Sequence, residues 1–243
     1  MRIGVFDSGV GGLTVLKSLH DTYPNNEYYY IGDNKHLPYG NKSKEELFKY
    51  ASSIIDYFVS QNIKLIVIGC NTICSTIYQD LEKKYKDITF IGVIDATVDL
   101  FIKSKKKNVL VIGTENTIKV NKYETKIKNI DNSIHVYNLA TPNLVPLIEN
   151  DLDAKSEIEN ILKKYPNIDS IILGCTHYKL IENLIPNTIT SIDSSTGVVN
   201  KIKKYIQDSK NCVKIYVTGN IEDFNKLCTK IMKISCEKID LKE

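Results

Sequence analysis

Short apolar runs that close on glycine or a small polar turn, separated by stretches of helical spacing, constrain this chain more than any other feature. Residues 2–6 (R-I-G-V-F) form such a run and close at Asp7-Ser8-Gly9. The form recurs at residues 27–32, 65–68, 90–94, 108–112, 134–139, 170–173, 188–193 and 213–217. Between the runs, Leu13, Leu16 and Leu19 repeat with helical spacing. Residues 44–60 carry Leu47, Tyr50, Ala51, Ile54, Ile55 and Phe58 on one stripe, behind a Ser43 N-cap with Glu46 three residues on. Further helices are expected after Thr72 to about 84, up to the basic end at 103–107, from Thr141-Pro142 to near 150, and over 156–165 and 196–208. Strands alternating with helices imply parallel sheets, and ligands on such sheets bind beyond the strand C-termini.

Two of the turns are alike. Residues 63–72 read I-K-L-I-V-I-G-C-N-T, and residues 168–177 read I-D-S-I-I-L-G-C-T-H. Cys70 and Cys175 lie 105 positions apart, and the polar turns at Ser8 and Gly113 share that offset. A shared offset points to a duplicated βα architecture with two thiols facing one site. The glycine-rich turn D-S-G-V-G-G offers backbone N–H groups to an anionic ligand. It is not the spacing G-x-G-x-x-G, which argues against a dinucleotide cofactor. The polar loop at 33–40, D-N-K-H-L-P-Y-G, has the chemistry of a binding loop with an aromatic tip.

Bulk composition bounds the function classes. Of 243 residues, 42% are hydrophobic and 25% charged, an ordinary globular balance. The net charge of +3, from 32 basic and 29 acidic residues, argues against a nucleic-acid partner. No apolar run nears the ~18 residues of a membrane span, and the start of the chain lacks the pattern of a signal peptide. A cytoplasmic location is expected, where six cysteines are free thiols or metal ligands rather than disulfides.

A thiol between a strand end and a helix start is placed for reactivity, because the helix N-terminus favours the thiolate. Cys212, Cys228 and Cys236 read as packing or surface residues, and Cys74 as core. Two opposed thiols can take a proton from one face of a carbon and return one to the other, which is racemisation. Asp7 stands where it could assist Cys70, and His177 where it could assist Cys175. The strand-end turns carry no Arg or Lys, so a small carboxylate would be held by neutral donors. Three rivals remain at this stage. Cys70, Cys74, Cys175 and His177 could bind zinc, although their spacing is loose. A two-lobed amino-acid-binding protein explains the duplication but not the paired cysteines. An aspartate racemase would keep both thiols, whereas a one-thiol decarboxylase would not need them. No lysine in a polar turn suggests pyridoxal phosphate.

The stretches D-S-G-V-G-G-L-T-V-L, P-Y-G, G-C-N-T, G-T-x-x-T and L-G-C-T-H-Y together resemble, in order, the motifs of the glutamate racemase family of the aspartate/glutamate racemase superfamily. The resemblance covers nearly the whole chain. It implies two pseudo-symmetric α/β domains with mainly parallel sheets, residues 1–94 plus 210–243 and residues 95–209, with the site in the cleft between them. It implies a cofactor-independent enzyme without a metal, supplying D-glutamate for peptidoglycan, with a homodimer as a possible assembly. Cys70 and Cys175 then match the acid/base thiols, aided by Asp7, His177 and Glu149. Asp7, Ser8, Pro38, Tyr39, Gly40, Asn71, Thr72, Thr114, Thr117, Thr176 and His177 match substrate-binding positions. This chain departs from the pattern at Thr141, where many members carry Cys, at Ile118 and Val120 in the T-V-x-S segment, and at Lys179, where Pro is frequent.

Overall fold

A computed structural model describes residues 1–242. The strands form two sheets, and every pairing is parallel. In the first half lie β1 (Arg2–Asp7), β2 (Glu27–Gly32), β3 (Leu65–Ile68) and β4 (Thr89–Gly92). In the second lie β5 (Asn108–Gly113), β6 (His135–Ala140), β7 (Ser170–Gly174) and β8 (Thr190–Asp193). β9 (Cys212–Val217) and β10 (Glu237–Lys238) close the chain. The first sheet runs β10-β9-β2-β1-β3-β4 and the second β6-β5-β7-β8. β9 lies against β2, Glu27 opposite Cys212, so the end of the chain returns to the first sheet.

The central strands are apolar along their length because both faces are covered by helices. All four residues of β3 and all five of β7 are buried. In each sheet the chain steps to one side of the first strand and then crosses to the other. This makes the β1/β3 boundary one topological switch point and the β5/β7 boundary another. Crevices open at the C-terminal ends of such boundaries. Both Gly-Cys turns therefore emerge at crevices.

The first sheet is covered by α1 (Leu13–Thr22) and α2 (Lys44–Ser60), among others. At the start of α2, Glu46 N–H donates to Ser43 Oγ at 3.1 Å and Ser43 N–H donates to Glu46 Oε2 at 2.8 Å, the reciprocal cap expected there.

Several boundaries differ from the sequence expectation. The helix after Thr72 is two pieces, α3 (Asn71–Thr76) and α4 (Tyr78–Lys84), joined at Ile77 with φ −127° and ψ 4°. The apolar run at 90–94 is split, since α5 (Val93–Lys103) starts at Val93. Val93 and Ile94 are buried in either state, and an apolar run alone does not separate strand from helix. Beyond the turn at Gly113, α6 (Glu115–Val120) and α7 (Lys122–Ile130) follow, where only a polar turn was expected. Thr141 and Pro142 precede rather than open α8 (Leu144–Glu149), and α9 (Lys155–Lys164) lies within a residue of its expected span.

The helix expected at 196–208 is α10 (Ser194–Ile202), followed by a 3-10 turn at Lys203–Tyr205. Its earlier start follows from Asp193, whose carboxylate accepts the N–H groups of Ser195 and Thr196. A last helix, α11 (Ile221–Met232), was not anticipated; Asn220 caps it by accepting from Glu222 N–H.

α10 crosses α5 at close range. A Cβ on Gly197 would lie 2.5 Å from Ala96 O and 3.0 Å from Thr97 N. Backbone cannot give way as a side chain can, so Gly197→Ala should cost about 1–3 kcal/mol. Urea unfolding measures this, and an unchanged midpoint would contradict the crossing.

Candidate active site

The C-terminal ends of β1, β3, β5 and β7 open on a single cleft of about 520 Å³. The first sheet contributes Asp7 and Ser8, the loop from Leu37 to Asn41, and Cys70, Asn71 and Thr72. The second contributes Thr114 and Glu115, the Thr141–Glu149 region, and Cys175, Thr176 and His177. Of the residues expected to meet at a site, all but Thr117 line this cleft.

Asp7 anchors the first wall. Its Oδ1 accepts Ser8 N–H at 2.6 Å, and its Oδ2 accepts Thr176 Oγ1–H from the opposite wall at 2.8 Å. Cys70 precedes α3, with its Sγ 3.8 Å from Ser8 Oγ. Only 4% of Cys70 is exposed. Burial, and after it the negative charge of Asp7, push its thiol up to about 12. Cys70 therefore rests as a thiol at neutral pH.

The second wall is built differently. Cys175 Sγ lies 3.5 Å from His177 Nδ1, and His177 Nε2 lies 2.9 Å from Glu149 Oε1. Burial alone would strip the His177 proton. The adjacent Cys175 and Glu149 outweigh it and hold the imidazole well above its usual range. A cation thus stands between the Cys175 sulfur and the Glu149 carboxylate.

The remaining polar groups face the cleft or brace it. Asn71 is 4% exposed, and its Nδ2 has no hydrogen-bond partner among the described residues. Buried donors are nearly always satisfied, so this amide is suited to a ligand oxygen. Thr114 Oγ1 accepts Thr117 N–H at 3.3 Å and lies 2.9 Å from Thr117 Oγ1. Thr117 is 1% exposed and sits behind Thr114 rather than on the wall. Tyr39 also turns its hydroxyl away, donating to Asp33 Oδ2 at 2.5 Å. Asp33 in turn accepts from Thr218 Oγ1 at 2.5 Å, which ties the 37–41 loop to the turn after β9.

Cys74 does not join the other candidate zinc ligands. It is buried and lies outside the cleft, its thiol donating to Ile68 O at 3.5 Å. Among the other cysteines, Cys212 is half-buried, while Cys228 and Cys236 are buried near the end of the chain. Leu37, Asn41, Glu115, Val145 and Pro146 also line the cleft and were not singled out by sequence. Asn41 and Glu115 directly follow recognised motifs, a weak signal. Nothing local marks Val145 or Pro146, because they reach the cleft only through the packing of α8.

The proton that His177 gains on folding adds stability that is complete below its ordinary value of 6.5. That stability is lost as pH rises through the raised folded value. Glu149→Gln removes one of the two groups holding the proton. It should move the His177 titration downward in ¹⁵N-edited NMR, and an unmoved titration would show that Glu149 does not hold the charge.

Comparison with known proteins places this geometry in context. Residues 4–209 match the family model for Asp/Glu/hydantoin racemase. The chain is 38% identical to glutamate racemase 2 of Caldanaerobacter subterraneus subsp. tengcongensis, over 95% of this chain and 92% of that one. The crystal structure of glutamate racemase isoform RacE1 from Bacillus anthracis superposes with a TM-score of 0.91 at 31% identity, covering 98% of this chain and 97% of that one. The Francisella tularensis glutamate racemase, solved with D-glutamate, gives 0.87 at 31% identity over 100% of this chain and 97% of that one.

Proposed function

The chain belongs to the Asp/Glu/hydantoin racemase family, and we propose that it is a glutamate racemase, interconverting L- and D-glutamate by proton transfer between two cysteines without a cofactor. The observation that carries this reading is the pair of matched thiols. Cys70 and Cys175 leave the switch points of two sheets and enter one cleft, each with its own charged neighbour. The choice of glutamate is supported by relatives of that name across the full chain.

In one direction Cys175 takes the α-proton, with the His177 cation beside it to balance the thiolate that precedes the transfer. Cys70, held as a thiol by burial and by Asp7, returns a proton to the other face. The reverse direction exchanges the roles, with Asp7 next to the thiol that must now lose its proton. The α-proton of an amino acid is very weakly acidic, so the carbanion-like transition state needs aimed donors. Ser8, Asn71, Thr72 and Thr114 supply hydroxyls and an amide, while Thr176, its hydroxyl committed to Asp7, and Pro38, Tyr39 and Gly40 complete the wall. Thr117 serves by bracing Thr114, and Glu149 by holding His177. We assign residues 1–94 with 210–243 to one lobe and 95–209 to the other, so that closure of the lobes excludes water from the cleft. The same reading puts the product D-glutamate in peptidoglycan synthesis and the protein in the cytoplasm.

Proton exchange in heavy water tests the proposal. Metal-stripped protein given L-glutamate, and separately D-glutamate, should lose optical activity from both directions and place deuterium at the α-carbon. Aspartate in the same assay measures specificity. Cys70→Ser and Cys175→Ser should each lower racemisation by about 10²–10⁴-fold, the usual contribution of an acid/base group. No exchange with either amino acid by folded wild-type protein, or normal turnover in either variant, would overturn the assignment.

A further inference from the structure

We infer that Tyr123 is a positioning residue that links the two cysteine-bearing turns and aims the Asn71 amide into the cleft. The inference rests on the racemase reading above. Tyr123 lies on α7 in the second half of the chain and is 2% exposed. It is not on the cleft wall. Its hydroxyl donates to Asn71 Oδ1 at 2.6 Å. Asn71 is the residue after Cys70. The other contact is with the second turn: a Cβ on Gly174, the residue before Cys175, would lie 3.4 Å from Tyr123 Cε2. One rigid ring is therefore bonded to the neighbour of one thiol and fills the space beside the neighbour of the other.

In the structure the phenol faces the oxygen end of the Asn71 amide. With Oδ1 engaged by the phenol, the Nδ2 group points the other way, and it is this group that is buried without a partner. An amide with one end anchored and the other vacant is a pre-organised donor. A substrate carboxylate oxygen would satisfy it, and an orphaned buried donor is costly otherwise. The phenol is suited to the anchoring role because burial, with only a lesser opposing contribution from Thr97 on α5, holds it well above the usual tyrosine range. It therefore stays protonated and donates at any working pH. Without its hydroxyl the amide could rotate and present an oxygen, which repels a carboxylate.

Tyr123→Phe removes the hydroxyl and keeps the ring against Gly174. It should raise KM for both enantiomers of glutamate by about ten-fold, with kcat changed by less than about three-fold, as expected for one lost hydrogen bond to a charged ligand. In an Asn71→Ala background, the same substitution should change kcat/KM by less than about two-fold, because the group it acts through is gone. Asn71→Ser replaces Asn71→Ala if the latter does not fold. Asn116→Ala, which removes the 3.2 Å hydrogen bond from Asn116 Nδ2 to Thr76 Oγ1 between the same halves, serves as control and should leave KM unchanged. Independent, multiplicative losses in the double variant, an unchanged KM in Tyr123→Phe, or an equal rise in Asn116→Ala would overturn the Tyr123 role while leaving the racemase reading intact. Wild-type protein that turns over no glutamate would overturn both.

Discussion

The hydrogen bond from Thr176 Oγ1 to Asp7 Oδ2 joins the C-terminal ends of the two sheets. Asp7 ends β1, and Thr176 follows Cys175. The bond can form only because the turn after β1 has no side chains in the way. A Cβ on Gly11 would lie 2.3 Å from Thr176 Oγ1 and 2.6 Å from His177 Nδ1, and one on Gly12 would lie 2.5 Å from Asp7 Cβ. No glycine in the chain adopts a positive φ, so these positions require space rather than backbone freedom. Thr14 reinforces the contact by donating to Gly11 O at 2.8 Å and lying 3.2 Å from Thr176 O. The glycine-rich turn is thus first a docking surface for the second thiol's turn.

The two halves share one strand order, β2-β1-β3-β4 and β6-β5-β7-β8, and the side chains then break the symmetry. Around Cys70 the nearest charge is the carboxylate of Asp7, which favours the thiol. Beside Cys175 stands the His177 cation, held in place by Glu149. Two identical environments would hold both sulfurs in the same protonation state. A proton relay between opposite faces needs one empty and one loaded position at the start of each turnover. In the proposed relay the two sulfurs thus meet the substrate with opposite charges beside them.

Much of this was legible in the sequence where the signal is local. The strand-turn-helix units, the Ser43 cap and both Gly-Cys turns rest on spacing within a few residues. The return of residues 212–217 to the first sheet followed from the family resemblance, since periodicity says nothing about which sheet a strand joins. The split at Ile77 and the start of α5 at Val93 were hidden because apolar residues there are buried in any state. α11 follows the run at 213–217 without a pattern that marks it, although Asn220 caps it by accepting Glu222 N–H. The glycine-rich turn was read as an anion site, whereas Gly11 and Gly12 owe their identity to residues more than 160 positions away and to the strand beside them. Tyr123 carries no motif at all. Its meaning comes from the hydrogen bond to Asn71, which exists only after both halves have folded together, and from its place beside Gly174 in its own half.

Among the described residues no Lys or Arg lines the cleft, and the His177 cation is engaged by Cys175 and Glu149. In the proposed reaction a substrate carboxylate is therefore held by neutral donors, which demands more of them and a fixed orientation for each. The cleft meets that condition by bracing its donors from behind: Thr117 on Thr114, Asp33 on Tyr39, Tyr123 on Asn71. Each brace uses one polar end of the wall residue or fixes its backbone, and so determines what is left to face the substrate. The strength of binding then depends on alignment rather than charge. In such a site a lost hydroxyl behind the wall is felt as strongly as a lost contact on it.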